Sequence, residues 1–176
     1  MSESSKQHKE SAPKQLNFAV FVCSTSRYQQ LKKGEKITDV SGDTIAALLT
    51  NSGHKVLIKK IIADDMQMIK EAAESVLCSV ELDAAIFCGG TGIAPKDVTI
   101  ETVSPFFEKS LPGFGEIFRR LSYEKIGSAA VMSRATAGVA RGKVLFCIPG
   151  SPDAVQISVE KLILPEAPHI VRHARE

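Results

Sequence analysis

The residues with the clearest chemical potential lie in a glycine-rich segment, residues 88–99, which reads CGGTGIAPKDVT. It follows an apolar run at 82–87 that is short enough to be a buried parallel strand. Three glycines in four residues allow positive φ, so that successive N–H groups can face one concavity and bind an anion, usually a phosphate. Lys96 and Asp97 follow and could serve a phosphate and its Mg²⁺. The alternative is a glycine-rich turn that binds no ligand.

Strands and helices alternate on both sides of this segment, and the alternation indicates the fold. Helical spacing of apolar residues predicts helices from Val40 to a stop at Gly53, from the residues after Asp65 to Val80, and over 112–125, with Ile117, Phe118 and Leu121 inward. A final helix starts at Pro152 with Ser151 as its N-cap. Residues 24–38 are predicted to be a polar loop. The predicted strands are 16–23, 54–62, 82–87, 128–132 and 143–148. We expect a three-layer α/β/α sandwich with a mostly parallel central sheet.

Composition limits the class of protein. A chain of 176 residues with 44% hydrophobic residues is most simply one domain, predicted here as 16–176 after a solvated tail at 1–15. A net charge of +2 does not suggest a nucleic-acid partner. No membrane-length apolar run or secretory signal is visible, so we expect a cytoplasmic protein with no membrane partner.

The four cysteines show no metal-binding spacing. Cys23, Cys78, Cys88 and Cys147 are far apart, and the four histidines do not complete a zinc motif around them. They are predicted to be buried, reduced thiols.

Four polar segments follow predicted strands. In a parallel sheet, ligands bind outside the carboxyl ends of the strands. Residues 24–27 follow the first strand, Asp64 and Asp65 the second, the glycine segment the third, and residues 149–152 the last. The sequence therefore predicts that two phosphate-type cradles, cations and carboxylates meet at one edge of the sheet.

The order of these motifs resembles the molybdopterin-binding domain family of molybdenum cofactor biosynthesis, the MoaB and MogA-like proteins, over about residues 16–164. The resemblance rests on GGTG at 89–92 with DVT at 97–99, PGFGE at 112–116, SRATAG at 133–138 and PGS at 149–151. Residues 114–127 place the chain nearest the MoaB subgroup.

The resemblance implies Mg-ATP-dependent adenylylation of molybdopterin. The terminal phosphate of molybdopterin attacks the α-phosphorus of ATP, and adenylyl-molybdopterin and pyrophosphate are released. Because that nucleophile is already ionised at neutral pH, the reaction needs charge stabilisation rather than a general base. ATP and molybdopterin would be the substrates and Mg²⁺ the metal cofactor.

The resemblance also assigns candidate residues. Asp64 and Asp97 match the family's carboxylates for catalysis and Mg²⁺, although Asp64 could instead cap a helix, Asp65 could replace it, and Asp97 could be an exposed turn residue. Ser41 could likewise be only a helix cap. The implied substrate-binding residues are Gly89, Gly90, Thr91, Gly92, Lys96, Ser133, Pro149, Gly150 and Ser151. The implied nucleotide-binding residues are Ser24, Asp39, Ser41 and Gly42.

Several alternatives stay open. Arg134 could border the pocket or lie at a subunit contact, and Glu101 could be a pocket carboxylate or compensate a helix dipole. A non-catalytic molybdopterin carrier or scaffold, working with other proteins of the pathway, would explain the same motifs, as would transfer on another phosphorylated heterocycle. The large apolar residues at 106–121, both aromatic and aliphatic, exceed what one sheet face needs, and the resemblance implies trimers or pairs of trimers, so we expect a homotrimer or homohexamer with this region at a subunit contact.

Overall fold

The computed structural model describes residues 13–176, which fold around one six-stranded sheet. The strand order is β2-β1-β3-β6-β5-β4. The first four strands in this order are parallel, whereas β5 and β4 are antiparallel additions at one side. The strands are β1 Asn17–Cys23, β2 Lys55–Ile62, β3 Ala84–Cys88, β4 Lys109–Ser110, β5 Thr136–Ala140 and β6 Lys143–Ile148. The predicted, mostly parallel sheet is confirmed.

Helices cover both faces of the sheet. They are α1 Thr25–Lys32, α2 Val40–Asn51, α3 Met66–Cys78, α4 Thr99–Val103, α5 Pro112–Ile126, α6 Pro152–Gln156 and α7 Leu164–Ala174. Short 3₁₀ helices at Ser104–Phe106 and Gly127–Met132 follow α4 and α5, and a π-helical segment at Ile157–Ile163 joins α6 to α7. Within residues 13–176, no helix combines the length and the apolar character needed to cross a membrane.

The core is divided by the alternation of side chains along the strands. In β1, Phe18 and Val20 face one side of the sheet, where they join Ile45 of α2. Phe21 faces the other side and joins a cluster that includes Ile69 of α3. Because successive strand residues point to opposite faces, a run of buried apolar residues fills both cores at once. This arrangement confirms the three-layer α/β/α sandwich.

The predicted helix boundaries hold at two places. Gly53, with φ of +86°, follows Ser52 at the end of α2. Ser151 is the N-cap residue of α6, and Pro152 occupies its first turn. Gln15, the last residue of the predicted tail, donates a hydrogen bond to the Gly53 carbonyl, whereas residues 1–12 of that tail lie outside the described part of the chain.

The predicted loop at 24–38 is wrong in its first half. Residues 25–32 form α1, which buries none of its side chains. A helix without an apolar stripe gives no periodic signal, and its polar composition therefore indicated a loop. The helix predicted to run to Val80 is also shorter than expected: α3 ends at Cys78, and Val80 is 98% exposed.

The predicted strand at 128–132 is also wrong. These residues belong to the 3₁₀ helix, in which Val131 is exposed, and β5 lies later in the chain. The two residues between β5 and β6 are Arg141 and Gly142, with φ of 50° and 70°. Two successive positive φ values are typical of the tight turn that joins antiparallel strands. Arg141 is not one of the residues that usually occupy the first position of such a turn, so the turn was not predicted from the sequence.

Two predictions of burial need correction. Ile117 on α5 was predicted to point inward but is half exposed, whereas its neighbour Phe118 is fully buried. Cys78 is exposed, whereas Cys23, Cys88 and Cys147 are buried as predicted. Burial raises the pKa of the Cys23 and Cys88 thiols to about 12, so both are unreactive at neutral pH.

Candidate functional site

The loops that follow β1, β2, β3 and β6 meet at the carboxyl-terminal edge of the parallel strands. The Ser24 amide donates to the Ile62 carbonyl at 2.8 Å, which joins the ends of β1 and β2. The Gly89 amide donates to the Ile148 carbonyl at 2.9 Å, which joins the ends of β3 and β6. All four polar segments identified in the sequence therefore border one edge.

The glycine loop passes so close to its neighbours that side chains would not fit. Gly89 and Gly90 have φ of +103° and +60°. A Cβ atom on Gly89 would lie 2.5 Å from the carbonyl oxygen of Cys23, and one on Gly90 would lie 2.5 Å from Thr99 Oγ1 and would also clash with Asp64 Oδ1. The glycines thus allow the backbone to reach the end of β1 and the Asp64 carboxylate.

Asp64 is held by Thr25 at the start of α1. The Thr25 amide donates to Asp64 Oδ2 at 3.3 Å, and the Asp64 amide donates to Thr25 Oγ1 at 3.1 Å. The other carboxylate oxygen, Oδ1, is buried and has no hydrogen-bond partner among the described residues. Burial raises the pKa of Asp64, the Thr25 amide opposes this rise, and the negative charge of Asp97 adds to it.

The neighbouring Asp65 has a different role. Its Oδ1 accepts a hydrogen bond of 2.9 Å from the Met68 amide, and it is the N-cap residue of α3. The capping role considered for Asp64 therefore belongs to Asp65. The Asp64 side chain is therefore not used as a helix cap, and it lies against Gly90 of the glycine loop.

Asp97 shapes the second half of the glycine loop. Its Oδ2 accepts a hydrogen bond of 2.9 Å from the Ala94 amide, and its own amide donates to the Ala94 carbonyl at 2.8 Å. The same oxygen would lie 2.5 Å from a Cβ atom on Gly92. Lys96 is exposed, and its positive charge opposes the rise in the Asp64 pKa. Asp97 is therefore a turn residue, which was the alternative role considered for it, and its negative charge also acts on Asp64.

Another group forms around the start of α2. Asp39 is the N-cap residue, and its Oδ1 accepts from the Gly42 amide at 3.1 Å and from Arg27 at 3.5 Å. Ser41 does not cap the helix, contrary to the alternative weighed for it. Its hydroxyl instead donates to the Gly150 carbonyl at 3.0 Å. The start of α2 is therefore bonded to the turn after β6.

Arg134 supports the glycine loop from the opposite side. Its Nε donates to the Thr91 carbonyl at 2.9 Å, and its Nη1 pairs with Glu101 at 2.7 Å. The hydrogen bond from Arg134 lowers the pKa of Glu101. The structure therefore pairs the two residues whose roles the sequence left open, and it places Arg134 against the loop backbone.

Two clefts flank the loop. The first has a volume of about 620 Å³ and contains Asp64 and Asp65; it is lined by Thr25, Tyr28, Gln29, Lys32, Lys33, Ala63, Asp64, Asp65 and Met68. The second has a volume of about 430 Å³ and brings together three predicted substrate residues, Ser133, Pro149 and Ser151, beside α5 and α6. Gly150, between the cleft residues Pro149 and Ser151, lies against the glycine loop, since a Cβ atom on Gly150 would be 3.5 Å from the Gly89 Cα.

Sequence reasoning missed several residues of the first cleft. Thr25, Tyr28 and Lys32 belong to α1, which was predicted to be a loop, and the ammonium group of Lys32 lies 5.2 Å from the centre of the Tyr28 ring. Thr99 belongs to the DVT motif at 97–99, but no role was predicted for it. Its Oγ1 is buried beside the loop, and among residues 13–176 no nitrogen or oxygen atom forms a hydrogen bond with it. Its neighbour is the Cys23 thiol, a weak hydrogen-bonding group. The Ser-Thr-Ser run after β1 was the available signal for Thr25.

The chain matches the model of a family described as a probable molybdopterin binding domain over residues 19–169. It is 43% identical to molybdenum cofactor biosynthesis protein B of Bacillus subtilis (strain 168), covering 97% of this chain and 96% of that protein. It is 40% identical to molybdopterin adenylyltransferase of Pyrococcus furiosus, covering 97% and 98%. A crystal structure of a molybdenum cofactor biosynthesis protein B superposes with a TM-score of 0.84 at 40% identity, covering 93% of this chain and 98% of that one.

Proposed function

The chain belongs to the molybdopterin-binding domain family, and from that premise we propose that it is a molybdopterin adenylyltransferase of molybdenum cofactor biosynthesis. It is a nucleotidyltransferase by its similarity to the Pyrococcus furiosus enzyme, which extends over nearly the full length of both chains. Mg-ATP and molybdopterin are its substrates in this proposal. A phosphate oxygen of molybdopterin bonds to the α-phosphorus of ATP while the bond to pyrophosphate breaks.

The observation that carries the proposal is the buried Asp64 Oδ1. Among residues 13–176, three buried side-chain nitrogen or oxygen atoms lack a hydrogen-bond partner, and two of them, Asp64 Oδ1 and Thr99 Oγ1, border Gly90. A buried polar atom without a partner costs stability, about 1–3 kcal/mol for a typical group. Such a cost is expected where a ligand completes the site, since strain and unpaired groups are concentrated at functional positions.

Asp64 and Asp97 fit a magnesium ion. Mg²⁺ prefers one or two carboxylates together with substrate phosphates and water, and a buried oxygen without a partner is a suitable ligand. No set of three or more metal-binding side chains is gathered in the described part of the chain, which agrees with a site completed by substrate. When bound, the ion would neutralise charge on the reacting phosphates.

The chain's own groups would hold the two polyanions together. Amides of the glycine loop and the N-terminus of α2, with Ser24, Asp39, Ser41 and Gly42, would orient the nucleotide phosphates. The Asp39 side chain accepts a hydrogen bond from the Gly42 amide, so in this proposal Asp39 stabilises the start of α2 rather than contacting a phosphate. Lys96 would contribute positive charge as pyrophosphate leaves.

The second cleft would hold the pterin. Ser133, Pro149 and Ser151 line it, and the glycine loop lies beside it. Its lining also contains Pro149 and Pro152, which give one wall an apolar surface suited to a fused ring. The phosphate of molybdopterin would then point from this cleft toward the loop and Asp64.

The decisive experiment incubates the purified chain with Mg-ATP and molybdopterin. We expect molybdopterin-dependent release of pyrophosphate and a pterin–AMP adduct by mass spectrometry. Bound molybdopterin without an adduct at saturating Mg-ATP would contradict the proposal and favour a carrier. Pyrophosphate release that ignores molybdopterin would point to another phosphorylated heterocycle as the acceptor.

A further inference from the structure

Two histidines on the last helix face each other far from the sheet edge described above. His169 and His173 lie four residues apart on α7, so that their side chains share one face of the helix. Their Nε2 atoms are 3.0 Å apart, and the ring centres are 4.7 Å apart. The proposed adenylyl transfer uses neither residue.

Each histidine has a carboxylate at its other nitrogen. Glu166 Oε2 lies 3.2 Å from His169 Nδ1, and Glu176 Oε2 lies 2.8 Å from His173 Nδ1. A carboxylate accepts from Nδ1–H, so these contacts fix the tautomer in which each neutral ring has its lone pair on Nε2. The two lone pairs are then on neighbouring atoms 3.0 Å apart. A cation that accepts both of them removes their repulsion; a metal ion would lie to one side of the two nitrogens, because its bonds to imidazole are about 2 Å long.

The surroundings favour a cation and admit it. The pair borders a cavity of about 450 Å³ that is also lined by Glu108 and Lys109. His169 is 24% exposed and His173 is 44% exposed, so an ion can reach both. His173 lies in the last turn of α7, where the helix dipole favours positive charge. Among the described residues, Lys109 is the cation that lines this cavity, and Arg172 on the same helix is paired with Glu176.

We propose that His169 and His173 form a binding site for a divalent transition-metal ion such as Zn²⁺ or Ni²⁺. Imidazole nitrogen is a preferred ligand of these metals. A carboxylate on the second nitrogen of each ring is the usual support of a metal-bound histidine, because it orients the ring and raises its basicity. Two ligands come from the described residues, and water would complete the coordination. The ion would join the last two turns of α7.

The test is calorimetric titration of the untagged, chelator-treated full-length chain with Zn²⁺ and, separately, with Ni²⁺. We expect one ion per chain at this site, bound through His169 and His173. His173→Gln should abolish that binding, and Glu176→Gln should weaken it by about tenfold or more, the effect typical of supporting carboxylates. The Cys78→Ser variant is the matched control for the exposed thiol, and Asp64→Asn removes the proposed Mg²⁺ ligand at the sheet edge; both should keep the ion whose binding depends on His173.

A second readout concerns the helix itself. Bound Zn²⁺ should raise the Tm of the unmodified chain but not that of His173→Gln, whose circular dichroism without metal should be unchanged. The proposal is overturned if neither metal binds, if binding survives His173→Gln, or if Cys78→Ser or Asp64→Asn removes it. In the first case, the pair holds a shared proton only.

Discussion

The hydroxyl of Ser41 donates a hydrogen bond of 3.0 Å to the carbonyl of Gly150, and this bond joins the start of α2 to the turn after β6. The two residues are 109 positions apart in the chain. In the proposed function, the start of α2 binds the nucleotide and the turn after β6 binds the pterin. This bond therefore couples the two halves of the proposed site.

Replacing Ser41 tests that coupling. Ser41→Ala should lower the free energy of unfolding by about 1 kcal/mol, the usual net contribution of such a bond, and should raise KM for ATP and for molybdopterin together. Thr50→Ala is the matched control, because it removes a hydroxyl-to-carbonyl bond of 2.8 Å on the same helix, away from the site. Denaturant unfolding and steady-state kinetics measure both effects. If KM rises for one substrate alone, the bond does not couple the halves.

The two proposed metal ligands should be needed for turnover but not for binding. Asp64→Asn and Asp97→Asn should each lower turnover by about a hundredfold or more while molybdopterin stays bound, because metal positioning is lost and the cradle is kept. Asp65→Asn is the control, since asparagine also caps a helix well and should leave turnover unchanged. Pyrophosphate release and equilibrium binding distinguish the two steps. Loss of molybdopterin binding in both variants would refute the assignment.

Asp64 should also destabilise the fold at neutral pH. Its pKa is raised by burial, so the folded state binds more protons than the unfolded state between the two pKa values, and stability falls as the pH rises through that window. Asp64→Asn should therefore raise the Tm by a few degrees at pH 7, and the gain should shrink at a pH below the ordinary aspartate pKa. Calorimetry across this range checks the trend. A gain that grows on acidification would contradict it.

The glycine loop should depend on Gly90 for space rather than for backbone freedom alone. Gly90→Val should abolish ligand binding, because its side chain would meet Thr99 Oγ1 and the Asp64 carboxylate. Gly34→Val is the matched control: Gly34 also has positive φ, +75°, but a Cβ atom there has no neighbour within 4 Å among the described residues. Both variants share the backbone strain, so a larger loss in the free energy of unfolding for Gly90→Val than for Gly34→Val reports crowding. An equal loss of stability in both variants would mean that backbone strain alone explains the effect.

An apolar surface at the end of α5 predicts self-association. Ile126, Val131 and Met132 are half exposed or more and lie at or just after that end. Of the apolar residues predicted at a subunit contact, Ile117 is half exposed but lies near the start of the helix, whereas Phe118 is buried and Phe114 packs against Phe146 with ring centres 5.3 Å apart. We expect a trimer or hexamer that buries this surface, and Val131→Glu should dissociate it. Light scattering that finds a 19.0 kDa monomer at micromolar concentration would refute this prediction.

Buried elements were predictable from the sequence, whereas exposed ones were not. β1 and β3 are continuous apolar runs, and α3 places Ile69 and Val76 on one face, so hydrophobic periodicity located them. The helix α1 buries nothing and therefore left no pattern. Because this helix was not predicted, the role of Thr25 in the site was not predicted either: Thr25 is the first residue of α1 and holds Asp64.

The capping roles show a second limit. Asp64 and Asp65 are the same residue type at adjacent positions, and either could have capped α3. The choice depends on the direction of the chain as it leaves β2, which places Asp65 against the Met68 amide. Likewise, the bond between Ser41 and Gly150 depends on strand order, which neither local segment encodes.

The outer strands of the sheet resist aggregation through their edges. β2 is an edge strand of eight residues, long enough to pair with another chain, but Lys55, Lys59 and Lys60 along it are exposed. Stacking a second copy there would bring these ammonium groups together and strip their hydration, and Lys59 is already engaged by Asp43. The opposite edge, β4, has only two residues. Fibrous growth by strand addition is therefore disfavoured at both edges, and we expect the predicted oligomer to form through helical surfaces.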